Sequence, residues 1–244
     1  MLFSWQSKLF WIVLNFMRIG ILTYNKPHKK TQDVIYGLHR LGYKKIKLII
    51  SKFKKFKNKQ KYCLFNHRPF QFVGSNYEEI SKYYGYKYCD FNSKNVFRNL
   101  DIALICGSSI ISKSMIKQNF IINCHSGLIP LIRGLDAFKW AIFKDQPLGN
   151  TLHYIDEGVD MGKIISHKIT PIYKSDNLHD LSERHYNYEV KMLINFEKYL
   201  NKSKVLDLNI SEPNMRMPLR LEKKMINKFN IYKSKFSKWA RFQL

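Results

Sequence analysis

A carboxamide and an imidazole two residues apart, with a carboxylate between two glycines further on, are the side chains here best suited to chemistry. They are Asn123 and His125, in FIINCHSGLIPLIRG (120–134), and Asp160, in YIDEGVDMGKII (154–165). In extended chain, residues i and i+2 project to one side, so Asn123 and His125 share a face while Cys124 turns away. A strand leaving the carboxyl edge of an α/β sheet delivers such side chains to the crevice where ligands bind. Gly127, Pro130 and Gly134 shape the loop that follows, and Gly158 and Gly162 let the backbone around Asp160 approach a ligand closely. Taken alone, each block has a plainer reading: a strand-capping asparagine beside a satisfied histidine, and an acidic hairpin turn. Together the three groups form an apparatus for acyl transfer. The amide can donate to a carbonyl oxygen that becomes an oxyanion. The imidazole can stabilise the same charge or carry a proton. The carboxylate can fix the imidazole tautomer or receive a proton through water. No Ser or Cys stands beside a base as a nucleophile, which points to direct transfer without a covalent enzyme intermediate.

The elements that must hold these groups follow from hydrophobic patterning. RIGILTY (18–24) is an apolar run suited to a central parallel strand, TQDVIYGLHRLG (31–42) carries Val34, Ile35, Leu38 and Leu41 at helical spacing, and KIKLIIS (45–51) reads as the next strand. A β-α-β opening predicts a parallel sheet with a right-handed crossover. Further along, NYEEISKYYG (76–85) suggests a helix, LDIALICG (100–107) the clearest central strand, SKSMIKQ (112–118) a short helix and FIIN (120–123) another strand. DAFKWAIFK (136–144) reads as helical, with Phe138, Ala141 and Ile142 on one side. NTLHYID (150–156) and GKIISHKITPI (162–172) read as paired strands, and residues 178–200 as one long amphipathic helix. From Asn201 the composition turns Lys-rich with isolated aromatics, an appendage and not a second core. No repeat is evident. The expected organisation is an N-terminal extension (1–16), a catalytic domain (17–175) and a C-terminal helix with a basic tail (176–244).

Composition sets outer bounds. With 244 residues, 45% hydrophobic and 15% aromatic, the chain can bury a sizeable core, and disorder throughout is excluded. Its net charge of +24 attracts polyanionic ligands but does not by itself indicate nucleic acid. The basic run SKFKKFKNKQK (51–61) reads as a solvated loop. Cys63, Cys89, Cys106 and Cys124 show no metal-binding spacing, and Cys106 and Cys124 lie in apolar runs that suit buried free thiols. The expected compartment is the reducing cytoplasm, and no metal site is expected. In the opening MLFSWQSKLFWIVLNFM (1–17) the apolar stretch 9–17 is too short to span a bilayer. Residues 1–16 read either as an amphipathic surface helix or as an extension upstream of a start at Met17.

The blocks NCHSGLIPLIRG (123–134) and GNTLHYIDEGVDMGKII (149–165) together resemble the signature of the 10-formyltetrahydrofolate-dependent formyltransferases, densely over about residues 100–172 and loosely over 17–50. The resemblance implies an α/β, Rossmann-like formyltransferase fold: a mostly parallel twisted sheet flanked by helices, with a short C-terminal helical appendage. It implies 10-formyltetrahydrofolate as formyl donor, an amine as acceptor, and Asn123, His125 and Asp160 as the catalytic trio. By position, the loop GSSII (107–111) with Gly107, Ser109, Ile110 and Ile111 would hold the pterin, together with the backbone at Asp156 and Gly158. Arg133 and Trp140 are candidates for substrate contacts.

Three branches of the family compete for the acceptor. The methionyl-tRNA enzymes carry a further β-barrel, for which the stretch after Ile172 is short. The glycinamide ribonucleotide enzymes place a Gly/Ser-rich phosphate turn after the first strand, where this chain has NKPHKKTQD without glycine. The chain is most similar to the sugar N-formyltransferases of surface-polysaccharide (O-antigen, lipopolysaccharide) pathways. That resemblance implies a nucleotide-linked amino sugar, dTDP-4-amino-4,6-dideoxyglucose before a C3 amine, and a homodimer without nucleic-acid partner or membrane insertion. A reading from another class, a basic protein docking to nucleic acid or an anionic membrane, leaves the two linked motifs unexplained.

Overall fold

The structure is a computed structural model that describes residues 16–53, 63–116, 121–158, 160, 162–200 and 212–237. The expectations for residues 1–15 and for most of the basic run at 51–61 lie outside these. Among the described residues seven strands form one mostly parallel sheet in the order β3-β2-β1-β4-β5-β6-β7, and helices flank it. The strands are β1 (Arg18–Tyr24), β2 (Lys45–Ser51), β3 (Lys87–Asp90), β4 (Ile102–Ile105), β5 (Ile121–His125), β6 (Gly149–Tyr154) and β7 (Ile164–Ile169). By compactness the chain divides into two units, residues 1–55, 70–123 and 193–195, and residues 56–69, 124–192 and 196–244.

In the first unit, β1 is central because Ile19, Ile21 and Leu22 exclude water on both faces, and it pairs in parallel with β2 and β4. Helix α1 (Lys29–Arg40) buries Val34, Ile35 and Leu38, as their spacing predicts. It begins two residues earlier than read, after an extended His28, and stops at a partly exposed Leu41. Helix α2 (Tyr77–Tyr84) has clear local causes. The Asn76 side chain accepts from the Glu78 and Glu79 N–H groups while Glu79 bonds back to Asn76 N–H, and Gly85 at φ 71° ends the helix. β3 has no apolar run to announce it, because it is an edge strand with no fully buried residue.

In the second unit, β6 and β7 pair antiparallel, with an irregularity at Leu152/His153. The helices are α4 (Ala137–Phe143), α5 (Leu178–Ile194, its end in the first unit), α6 (Glu197–Leu200) and α7 (Leu219–Phe236), α3 (Lys113–Ile116) lying in the first unit. The span 178–200, read as one helix, breaks at the fully buried Phe196. α7 is amphipathic: Met225, Phe229 and Tyr232 enter one core with Phe65, Phe138, Ala141, Ile142 and Leu181. Each of the larger of these side chains contributes about 1.5–3 kcal/mol on burial. Inside this unit the Lys139 ammonium meets the Glu222 carboxylate, both side chains being almost fully buried. Glu222 also accepts the N–H groups of Leu64 and Phe65 at 2.9 and 3.1 Å. Burial pushes its pKa up, but Lys139 and the two N–H donors prevail and hold it below the usual carboxylate range. Among the described residues no helix is long and apolar enough to cross a membrane. Cys106 and Cys124 are buried and form no disulfide.

Candidate active site

The loop after β5 is held through its backbone groups by side chains of β6, β7 and α5. Thr151 on β6 donates its hydroxyl to Gly127 O at 2.7 Å and accepts Ile129 N–H at 3.0 Å. His167 Nε2 reaches Ile129 O at 2.9 Å, and Ile132 N–H closes on Leu128 O at 2.8 Å. His185 on α5 approaches Ser126 O with Nε2 at 3.3 Å while its Nδ1 lies 2.7 Å from Thr170 Oγ1. A loop so braced keeps its carbonyls and amides in fixed directions, which is what positions the residues that could react.

His125 and Asp160, 35 positions apart in sequence, meet at the end of β5. His125 Nδ1 lies 3.4 Å from Asp160 Oδ2, and His125 Nε2 is 3.0 Å from Ile132 O. A carbonyl only accepts, so Nε2 carries the ring hydrogen and Nδ1 of the neutral ring presents a lone pair to the carboxylate. One added proton turns that confrontation into a charge-assisted hydrogen bond. Burial lowers the pKa of His125; the neighbouring Asp160 charge and the Ile132 carbonyl oppose this in part. The ring is therefore kept neutral at pH 7, beside the group that would help it take a proton.

Asp160 is held on its other side by Gly134, whose N–H donates to Oδ2 at 2.9 Å. Its backbone is left-handed, φ 51°, a conformation that costs on the order of 1 kcal/mol for a non-glycine residue and persists because its contacts fix it. Gly162 makes the turn possible: a Cβ there would lie 1.7 Å from Tyr154 O. A second imidazole faces the same carboxylate, His153 Nε2 being 3.8 Å from Asp160 Oδ1 while its Nδ1–H donates to Tyr154 O at 2.9 Å. Burial pushes its pKa down to about 4, against the pull of Asp160. The sequence reading assigned no role to His153 or Thr151, although both stand in the block GNTLHYIDEGVDMGKII (149–165), two apart on one strand. Both are buried, as are Asn150 and Leu152 beside them.

The other sequence-derived residues fall as follows. Asn123 is partly buried on β5 in the first unit, two residues ahead of His125. In the same unit the 107–109 stretch is pinned: Tyr24 Oη donates to Ser108 O at 3.1 Å, Ser109 N–H to Ser51 Oγ at 3.1 Å and Ser109 Oγ to Lys52 O at 3.0 Å. Gly107 packs under the Tyr24 ring, Ile110 is 85% exposed and Ile111 is partly exposed. An apolar side chain held out from a pinned loop suits the face of a flat heterocycle such as a pterin. In the second unit Asp156 is exposed and takes the Gly158 N–H at 3.0 Å in a turn. Arg133 is buried. Trp140 is partly buried, donates Nε1–H to Met215 O at 2.7 Å and has the Lys144 ammonium 5.3 Å from its ring centre.

An α/β sheet that ends one strand in Asn-x-His and brings a carboxylate to that histidine defines a class of acyl-transferring proteins. The chain belongs to the formyl transferase family, which it matches over residues 30–196. It is 39% identical over 72 residues to the phosphoribosylglycinamide formyltransferase of Bacillus subtilis, which covers 29% of this chain and 37% of that protein. The chain thus spans well under half the length of this curated relative. Methionyl-tRNA formyltransferases are among the other relatives. A 4-N formyltransferase from Francisella tularensis has a similar fold, with a TM-score of 0.56, 20% identity and coverage of 82% of this chain and 76% of that one. So does the N-formyltransferase of Helicobacter canadensis in complex with folinic acid and dTDP-3-aminofucose, with a TM-score of 0.56, 16% identity and coverage of 88% and 80%.

Proposed function

We propose that the protein transfers the formyl group of 10-formyltetrahydrofolate to the amine of a nucleotide-linked amino sugar, dTDP-4-amino-4,6-dideoxyglucose being the first candidate. The observation that carries the transfer chemistry is the meeting of His125 and Asp160 at 3.4 Å, with the carboxylate fixed by Gly134 N–H. The neutral amine attacks the formyl carbon, a C–N bond forms, and the carbonyl electrons move to oxygen. Both nitrogens of His125 are engaged by Ile132 O and Asp160, so the oxyanion falls to the Asn123 amide, and His125 with Asp160 takes the proton the amine loses. Collapse re-forms C=O, breaks the bond to N10 of the folate, and returns that proton to N10. In the first unit, the exposed Ile110 is the side chain that would contact the pterin.

For the acceptor, the glycine-free NKPHKKTQD after β1 supports the sugar reading over the purine one, and solved structures of similar fold include proteins described as sugar N-formyltransferases. The reading carries with it a cytoplasmic, homodimeric enzyme of surface-polysaccharide synthesis. The purine alternative is favoured by the sequence identity to phosphoribosylglycinamide formyltransferases. Incubation with 10-formyltetrahydrofolate and a panel of nucleotide-linked amino sugars plus glycinamide ribonucleotide separates the two. Mass spectrometry should find the gain of one CO on a sugar; a gain on glycinamide ribonucleotide alone moves the chain to the purine branch, and no gain on any acceptor ends the proposal.

A further inference from the structure

Beyond the stretch that matches the family, the segment 212–217 returns to the loop that follows β5. Asn214 forms a parallel bridge with Gly134: its N–H donates to Arg133 O at 2.9 Å, and its carbonyl accepts Leu135 N–H at 2.8 Å. Its side chain adds Nδ2–H to the same Arg133 O at 2.9 Å, while Lys144 Nζ donates to its Oδ1 at 2.6 Å and fixes which way the carboxamide faces. Trp140 Nε1–H on Met215 O, and Met217 N–H on the Asp136 carboxylate at 3.1 Å, hold the segment in register on either side. The approach is close enough to require glycine at 134, where φ is 83° and a Cβ would lie 2.4 Å from Asn214 O.

Arg133 O and Gly134 N–H belong to one rigid peptide plane. Asn214 places two donors on its oxygen end, and its nitrogen end donates to Asp160 Oδ2 at 2.9 Å. Two donors on a carbonyl both orient the plane and polarise it, making the N–H at its other end a stronger donor. We propose that Asn214 is a positioning residue for the transfer reaction: through the Arg133–Gly134 peptide it sets the direction and strength of the hydrogen bond that holds the Asp160 carboxylate against His125. This rests on the catalytic reading of Asp160 given above.

The test compares wild type, Asn214→Ala, Asn214→Asp and Asp160→Asn in the full-length protein, by kinetics with the best acceptor of the panel and by the 1H–15N signal of Gly134. Asn214→Ala should lower kcat about tenfold, the scale expected for a small displacement of a reacting group, with KM for the folate nearly unchanged. The Gly134 amide proton should move upfield, toward its position in Asp160→Asn. Asn214→Asp keeps an acceptor for Lys144 but loses the side-chain donor to Arg133 O, and should be no more active than Asn214→Ala. In the Asp160→Asn background Asn214→Ala should cost nothing further, because the path it acts through is gone. A Gly134 amide unmoved by Asn214→Ala, or an equal loss of activity in both backgrounds, overturns the proposal. Full activity of Asp160→Asn would instead overturn the catalytic reading, and the Gly134 signal would still report on the grip of Asn214.

Discussion

The second unit holds two buried clusters of histidine and carboxylate, and they are neutralised differently. Around Glu189, whose side chain is 1% exposed, Arg68 supplies a permanent cation at 2.7 Å, and the neighbouring His67 and His185 are driven neutral, His185 to about 4. Around Asp160 no arginine or lysine makes an ion pair among the described residues; two imidazoles, His125 and His153, face it. A carboxylate paired with guanidinium has its charge settled once and for all. One paired with imidazoles of lowered pKa can have it settled by a proton that arrives during a reaction and leaves afterwards. The first arrangement stabilises a fold, and the second suits turnover.

The largest effect should come from taking away the carboxylate that His125 and His153 face. Asp160→Asn should lower kcat by roughly 10²–10⁴-fold, the range typical of lost acid–base groups, while chemical denaturation finds the fold nearly as stable as before. A small loss of activity would break the contrast. At the other cluster, Arg68→Met leaves Glu189 buried without its cation and should cost about 3–5 kcal/mol of stability, read from the denaturation midpoint. If the same change left stability untouched, Glu189 would not be the structural member of the pair.

The two clusters should also share a pH signature. His153 and His185 have folded values near 4 against an ordinary 6.5, so below pH 6.5 the unfolded chain binds protons that the folded one does not. Stability is complete above pH 6.5 and should fall as the pH drops toward 4, on the order of 1 kcal/mol per pH unit for each histidine. Thermal melts from pH 7.5 to 5 measure this slope, and His185→Asn should flatten it. The smallest effect belongs to His153→Gln, which keeps a polar group near Asp160 but cannot take a proton. We expect a loss of several-fold in kcat, well short of that for His125→Ala; equality of the two variants would make His153 a full partner in the chemistry.

How legible the molecule was depended on the distance over which each cause acts. β1, β2 and α2 were readable because their causes are local: an apolar run, and an Asn-x-x-Glu box closed by glycine. His125 and Asp160 were readable from residue types and motif spacing, although the 3.4 Å between them is a property of the folded chain. β3 stayed hidden because an edge strand need not be apolar. α7 stayed hidden because its buried Met225, Phe229 and Tyr232 are spaced among lysines that dominate the composition. His185 and Asn214 gave no signal, since each acts on a backbone carbonyl far away in sequence, Ser126 O at 3.3 Å and Arg133 O at 2.9 Å. Partners that are peptide groups leave no side-chain pattern to read.

The order of synthesis makes α7 and the segment before it matter in one more way. A ribosome completes the Asn-x-His and Asp160 motifs long before it adds Asn214 and the helix that follows. Until residues 214–232 emerge, Gly134 lacks the residue it bridges to and the nearby core lacks Met225 and Tyr232. A nascent chain therefore carries Asn123, His125 and Asp160 before it carries the segment that, in the proposal above, aligns the Asp160 carboxylate.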